Sequence, residues 1–310
     1  MSFARPMARY KNLPASKWDE KLKKLSELVQ PCTLCPRACR VKRLDNERGN
    51  CGAGAFISLV SYGPHHGEEP CLSGTRGSGT LFFGHCNLHC IFCQNADISQ
   101  DHAYAQRFET TPDVVARVML DLQARGCHNI NWVSPTHYLP MIVTSLKIAS
   151  DTGLNLPVVY NTHGYDSFLA VQTLDGLIDI YLPDLKYASN RIAEELSGAK
   201  DYVENARRVI AEMYRQVGAP VLDENGLMKS GVLVRLLVLP HQLSGTEESL
   251  KWLRDAIGPD IGVNIMSQYY PAYRARQYPP LARRVSAEEY RKAVETALHL
   301  GFTYVMYDKD

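Results

Sequence analysis

The chain has 310 residues, enough to bury a substantial core as one large domain or as a large domain beside a small one. Lys and Arg total 34 against 33 Asp and Glu, a formal net charge of +1, and no basic stripe forms along the chain, so no nucleic acid is expected as partner. No apolar run reaches membrane-spanning length and residues 1–10 lack the apolar core of a signal peptide, so no membrane partner and a cytoplasmic location are expected.

The first 75 residues are frequent in Pro, Gly and Cys. Residues 17–29 read as a helix with Leu22, Leu25, Leu28 and Val29 on one face. Its basic run, Lys17 to Lys24, is interleaved with Asp19 and Glu20 and reads as a solvated face. Then come Cys32, Cys35, Cys39 and Cys51, spaced C-x2-C-x3-C-x11-C. Four such thiolates can close a tetrahedral zinc site or a fully ligated iron–sulfur cluster, and both remain open. A small segment poor in apolar residues needs a staple of this kind. Residues 1–75 are therefore expected to be a metal-stapled N-terminal extension, packed on a domain spanning 76–310. Eight of the nine cysteines fall between Cys32 and Cys93, which suits metal ligation in a reducing compartment better than a disulfide framework. Cys71 and Cys127 read as ordinary buried cysteines.

From residue 79 onward, apolar runs alternate with helical patterns. Strands are expected at 80–83, 130–134, 156–161, 178–182, 232–239, 261–266 and 303–307, mostly as continuous apolar runs of the kind that parallel strands covered on both faces require. Helices are expected at 112–125, started by Pro112 and stopped by Gly126, and at 201–216. A third, at 290–300, follows a capping box of Ser286 and Glu289. Repeated strand–helix units give a right-handed parallel array, and about six units with a final strand predict an α/β fold of incomplete (β/α)6-type barrel form. Active sites of such arrays collect at the C-terminal ends of strands.

Cys86, Cys90 and Cys93 stand at such an end, spaced C-x3-C-x2-C in a loop after the first strand. Three close cysteines without a fourth suit a [4Fe–4S] cluster ligated at three irons, whereas zinc asks for four ligands. The remaining iron keeps an open position, which is what makes a metal site catalytic. Polar residues just past the other strands are candidates for holding a cofactor: Ser134, Thr136 and His137, then Asn161, Thr162 and His163, then Asp184 and Lys186. Arg235 lies inside an apolar strand, where an unpaired guanidinium is costly. It implies a carboxylate, either from a ligand or from a strand end such as Asp184. His65, His66, Asn264 and Gln268 are weaker candidates.

The cluster loop, with Phe92 before its last cysteine and Gln94-Asn95 after it, resembles that of radical S-adenosylmethionine (SAM) enzymes. Together with Asn161-Thr162-His163-Gly164, Asp184-Leu185-Lys186 and Val234-Arg235-Leu236-Leu237-Val238-Leu239-Pro240, it resembles the glycyl-radical-enzyme activase branch of that superfamily, typified by pyruvate formate-lyase activating enzyme. The resemblance implies a radical SAM partial barrel with its cluster on Cys86, Cys90 and Cys93. It implies SAM among Asn161, Thr162, Asp184, Lys186 and Arg235, and a 5′-deoxyadenosyl radical that abstracts hydrogen, from a glycine of a protein substrate in that branch. An electron donor such as flavodoxin or ferredoxin is the implied partner. Radical chemistry on a small metabolite or cofactor precursor is a second reading, and a metal-binding protein without catalysis a third.

Overall fold

The structure, a computed structural model, describes residues 8–308. The reading of residues 1–10 therefore lies outside the described residues for its first seven positions, as do the last two residues of the expected barrel domain.

All seven apolar runs expected as strands form them. They are β2 (Ser78–Phe83), β4 (Ile130–Val133), β5 (Val158–Thr162), β6 (Ile180–Pro183), β8 (Met228–Leu237), β9 (Gly262–Met266) and β10 (Val305–Tyr307). They run parallel in that spatial order. Helices cover the connections, as parallel crossovers require. Pro112–Ala124 buries Val115, Val118, Met119 and Leu122, and Tyr202–Val217 buries Val209, Ile210 and Met213. Ala287–His299 starts in the expected capping box, with Glu289 N–H donating to Ser286 Oγ at 3.2 Å and Ser286 N–H to Glu289 Oε2 at 2.9 Å.

Three strands escaped the sequence reading. β1 (Ile57–His65) pairs antiparallel with β2 and with the short β3 (Glu109–Thr110), and β7 (Val221–Leu222) pairs antiparallel with β8. β1 buries only its first two residues fully and carries Pro64, a pattern that belongs to an edge strand. β1 lies within residues 1–75, and its partner β2 lies within residues 76–310. One core runs from Tyr10, Trp18, Leu25 and Leu34 through Trp132 and Tyr160 to Phe302, so the N-terminal segment and the barrel are packed as a unit.

The sheet path ends at β3 on one side and β10 on the other, with no ladder closing it. Residues 68–73 reach across this gap. Glu68 Oε2 lies 3.8 Å from Arg235 Nη1 on β8, and Asn264 Nδ2 on β9 donates to Glu69 Oε1 at 2.9 Å. Cys71 Sγ is 3.9 Å from Met306 Sδ on β10, and Leu72 packs with Val159, Ile180, Leu182 and Leu233. This segment is the floor of the barrel. No helix of the described residues is long and apolar enough to cross a membrane.

Candidate active site at the mouth of the partial barrel

β2 delivers the chain to Gly84, where an added Cβ would lie 2.3 Å from Ser58 Oγ, so only glycine lets the loop pass this close to β1. The loop beyond it is pinned to the end of the helix Asn190–Ser197. His89 N–H donates to Ser197 O at 3.0 Å, and Ile91 N–H to Leu196 O at 2.9 Å. These bonds satisfy carbonyls that a helix terminus leaves open. They hold Cys86, Cys90 and Cys93 at one wall of a cavity of about 410 Å³, within the size range of cofactor sites.

Each of the three sulfurs meets a polar hydrogen. Leu88 N–H donates to Cys86 Sγ at 3.4 Å, Ser197 Oγ–H to Cys90 Sγ at 2.9 Å, and Ser99 Oγ lies 3.2 Å from Cys93 Sγ. Burial raises the Cys86 thiol and pushes Cys90 up to about 11, with the Lys186 ammonium opposing burial at both. Metal binding would displace those protons and offset the cost of burying the thiolate charge. Nearby donors and a cation are what a thiolate-ligated iron–sulfur cluster requires of its surroundings, so the residues fit such a cluster.

The facing wall carries charge. Asp184 Oδ1 accepts from Arg235 Nε at 2.7 Å and Oδ2 from Lys186 Nζ at 2.6 Å, while Arg235 Nη2 donates to Asn161 Oδ1 at 2.5 Å. Burial works to raise Asp184, but the two cations outweigh it and hold the carboxyl at about 2. Arg235 thus has the carboxylate its position demanded, and it comes from the strand end. His163 is neutral, lowered by burial to about 4. Its Nδ1 accepts from Tyr165 N–H at 3.4 Å, which leaves Nε2–H as a buried donor without a partner on the cavity wall.

Of the expected cofactor residues, Ser134, Asn161, Thr162, His163, Asp184, Lys186 and Arg235 line this cavity, and so do His65 and Gln268. Thr136 does not. Its hydroxyl donates to Asp166 Oδ1 at 2.7 Å, and the same carboxylate accepts from Tyr160 Oη at 2.7 Å and Thr162 Oγ1 at 2.5 Å. His137 also turns away, its Nε2 donating to Gly84 O at 2.9 Å. His66 is exposed, and Asn264 serves the floor. Cys71 and Cys127 are buried in apolar surroundings, as expected. The sequence reading missed Glu68 and His85 on the wall and Asp166 behind it. For His85, its place directly before Cys86 was the available signal.

Cys32, Cys35, Cys39 and Cys51 line a second, narrower cavity with Arg43 and His137. Among the described residues, no three His, Cys, Asp or Glu side chains are set to share a single metal ion, either here or at the barrel mouth.

A parallel partial barrel with three thiols in the loop after its first parallel strand, facing a charged cavity, is the architecture of a SAM-dependent radical enzyme. A family model of the radical SAM superfamily matches residues 80–253, more than half of the chain, and the chain belongs to that superfamily. Membership implies a [4Fe–4S] cluster and reductive cleavage of SAM. Two uncharacterised proteins of Methanocaldococcus jannaschii are similar along most of their length. One is 31% identical over 295 residues, covering 90% of this chain and 78% of that protein. The other is 25% identical over 299 residues, covering 87% and 82%. A crystal structure of a radical SAM methyltransferase from Sphaerobacter thermophilus is similar with a TM-score of 0.48 and 15% identity, over 74% of this chain and 67% of that one.

Proposed function

We propose that the protein is a radical SAM enzyme of activase type, in which Cys86, Cys90 and Cys93 hold the cluster and a glycine or other peptide group of a protein substrate gives up the hydrogen. Bound there, the cluster supplies the electron that cleaves SAM to methionine and a 5′-deoxyadenosyl radical. The observation that carries this reading is that the three thiols and the Asp184–Lys186–Arg235 set face one cavity. Lys186 and Arg235 offer cations to the SAM carboxylate, Asp184 an anion to its ammonium, and His163 Nε2–H a donor to a hydroxyl. Each is held in place beforehand by its neighbours, so little ordering remains to be done on binding.

A polypeptide substrate is favoured by the rim. The loop after β9 is tied to the cluster loop by Arg274 N–H donating to Ile91 O at 2.8 Å, and it exposes Tyr270, Tyr273, Arg274 and Arg284. Tyrosine and arginine are the residues that protein interfaces favour. The paired cations of the cavity favour a second reading, a small acidic metabolite as substrate. A low-potential one-electron protein donor of flavodoxin or ferredoxin type, in a reducing cytoplasm, belongs to either reading.

Anaerobic incubation with SAM and reductant tests the assignment. Cys86→Ala, Cys90→Ala and Cys93→Ala should each reduce 5′-deoxyadenosine formation to background, and a variant that still forms it contradicts the cluster assignment. A glycyl-radical EPR signal on a candidate protein substrate separates the first reading from the second, which instead predicts a mass change in a small acid.

A further inference from the structure

We infer that Cys32, Cys35, Cys39 and Cys51 hold a second iron–sulfur cluster, joined to the barrel cluster through Asn87 and His137. The second cluster stands on its own residues. The junction rests on the proposed assignment of Cys86, Cys90 and Cys93.

The four thiols face one cavity, and two of the sulfurs, those of Cys32 and Cys39, meet a donor. Arg43 Nη1 is 3.9 Å from Cys32 Sγ, and Asn50 N–H donates to Cys39 Sγ at 3.4 Å. Donors aimed at sulfur stabilise and tune a cluster's thiolates. Gly49 keeps the cavity clear, since a Cβ there would lie 3.1 Å from Cys39 Sγ.

His137 is the independent sign of an occupant. Its side chain is 2% exposed and lines the thiol cavity, and its Nε2–H is committed to Gly84 O, so Nδ1 presents a lone pair with no partner. A buried lone pair without a donor is costly, and an occupant of the cavity that His137 lines would offset that cost. The thiols are not drawn together as ligands of one ion, and neither are those of the barrel mouth. Four cysteine thiolates are the ligand set of a fully ligated four-iron cluster.

The site abuts the barrel loop. Asn87 follows Cys86 directly, and its main-chain carbonyl accepts from Nε of Arg37, which lies between Cys35 and Cys39, at 2.5 Å. His137 reaches the same loop through Gly84. One electron from a reduced flavodoxin- or ferredoxin-type donor enters the N-terminal cluster, oxidising the donor by one electron. It then passes to the barrel cluster, which returns the N-terminal cluster to its oxidised state.

The test uses the full chain, reconstituted anaerobically with iron and sulfide. The variant Cys86→Ala/Cys90→Ala/Cys93→Ala should retain about four irons and four sulfides per chain, with the EPR signal of a reduced cluster. About one zinc, or no metal, in that variant overturns the second cluster. Cys35→Ser/Cys51→Ser should retain only the barrel's irons; if it fails to fold, the triple variant alone decides the composition. The reduced native enzyme should show spin–spin splitting absent from the triple variant, and a native spectrum free of splitting with both clusters reduced overturns the junction. If native protein cleaves no SAM while the triple variant keeps its irons, the proposed function fails and the second cluster stands.

Discussion

Glu68 faces Arg235, Asp184, Glu69 and Asn131, and burial raises its carboxyl to about 7 despite the pull of the guanidinium. Between its ordinary range and that value, the folded protein keeps a proton that the unfolded chain releases, so this residue removes stability as pH rises through that window. Glu68→Gln should therefore gain stability relative to the native protein between about pH 4.5 and 7 and hold the gain above it. The shift corresponds to at most about 3 kcal/mol. Urea denaturation of both proteins across the window checks this, and a pH-independent difference contradicts it. Nothing in Gly67-Glu68-Glu69-Pro70 marks this residue, because its surroundings come from β8 and β6, far along the chain. Arg235 was legible for the opposite reason. A charge inside an apolar strand demands a partner wherever the strand lands, although the sequence leaves open whether that partner is protein or ligand.

The loops after β4 and β5 meet on a single carboxylate. Asp166 collects hydroxyls from Thr136, Tyr160 and Thr162, so the wall that carries Asn161 and His163 has its shape set from behind. Asp166→Ala removes the shared acceptor of three buried hydroxyls, of which Thr162 Oγ1 still accepts from Gly164 N–H, and at about 1 kcal/mol per lost bond the loss should be about 3 kcal/mol. Urea denaturation measures it, and a loss under about 1 kcal/mol would contradict this role. The same contact explains why Thr136 was misplaced. A hydroxyl just past a strand end can serve the cavity or the loop, and Asp166, 30 residues away, decides which. Elements with one dominant signal were legible, such as the continuous apolar parallel strands and the capped helix after Ser286. β1 was not, because past Ser58 its ladder is with β2 alone, and with a proline inside it has neither continuous apolarity nor clean alternation.

Across the whole molecule, the continuous core makes the N-terminal segment part of the barrel's stability. Trp18, in the helix Ala15–Glu27, and Trp132, in β4, are both enclosed by it. Variants retaining only one of these tryptophans should report the same thermal transition by fluorescence. Earlier melting at Trp18 would mean that the extension unfolds independently. If the N-terminal thiols hold a metal centre as proposed, removing that metal should lower the shared transition instead of producing a second one. The floor built from residues 68–73 bears on turnover. Leu72 packs among Val159, Ile180, Leu182 and Leu233 beneath the cavity, so apolar side chains fill the barrel on that side. If SAM binds beneath the substrate as proposed, initial-rate kinetics should show ordered addition with SAM first, and random addition would contradict that placement.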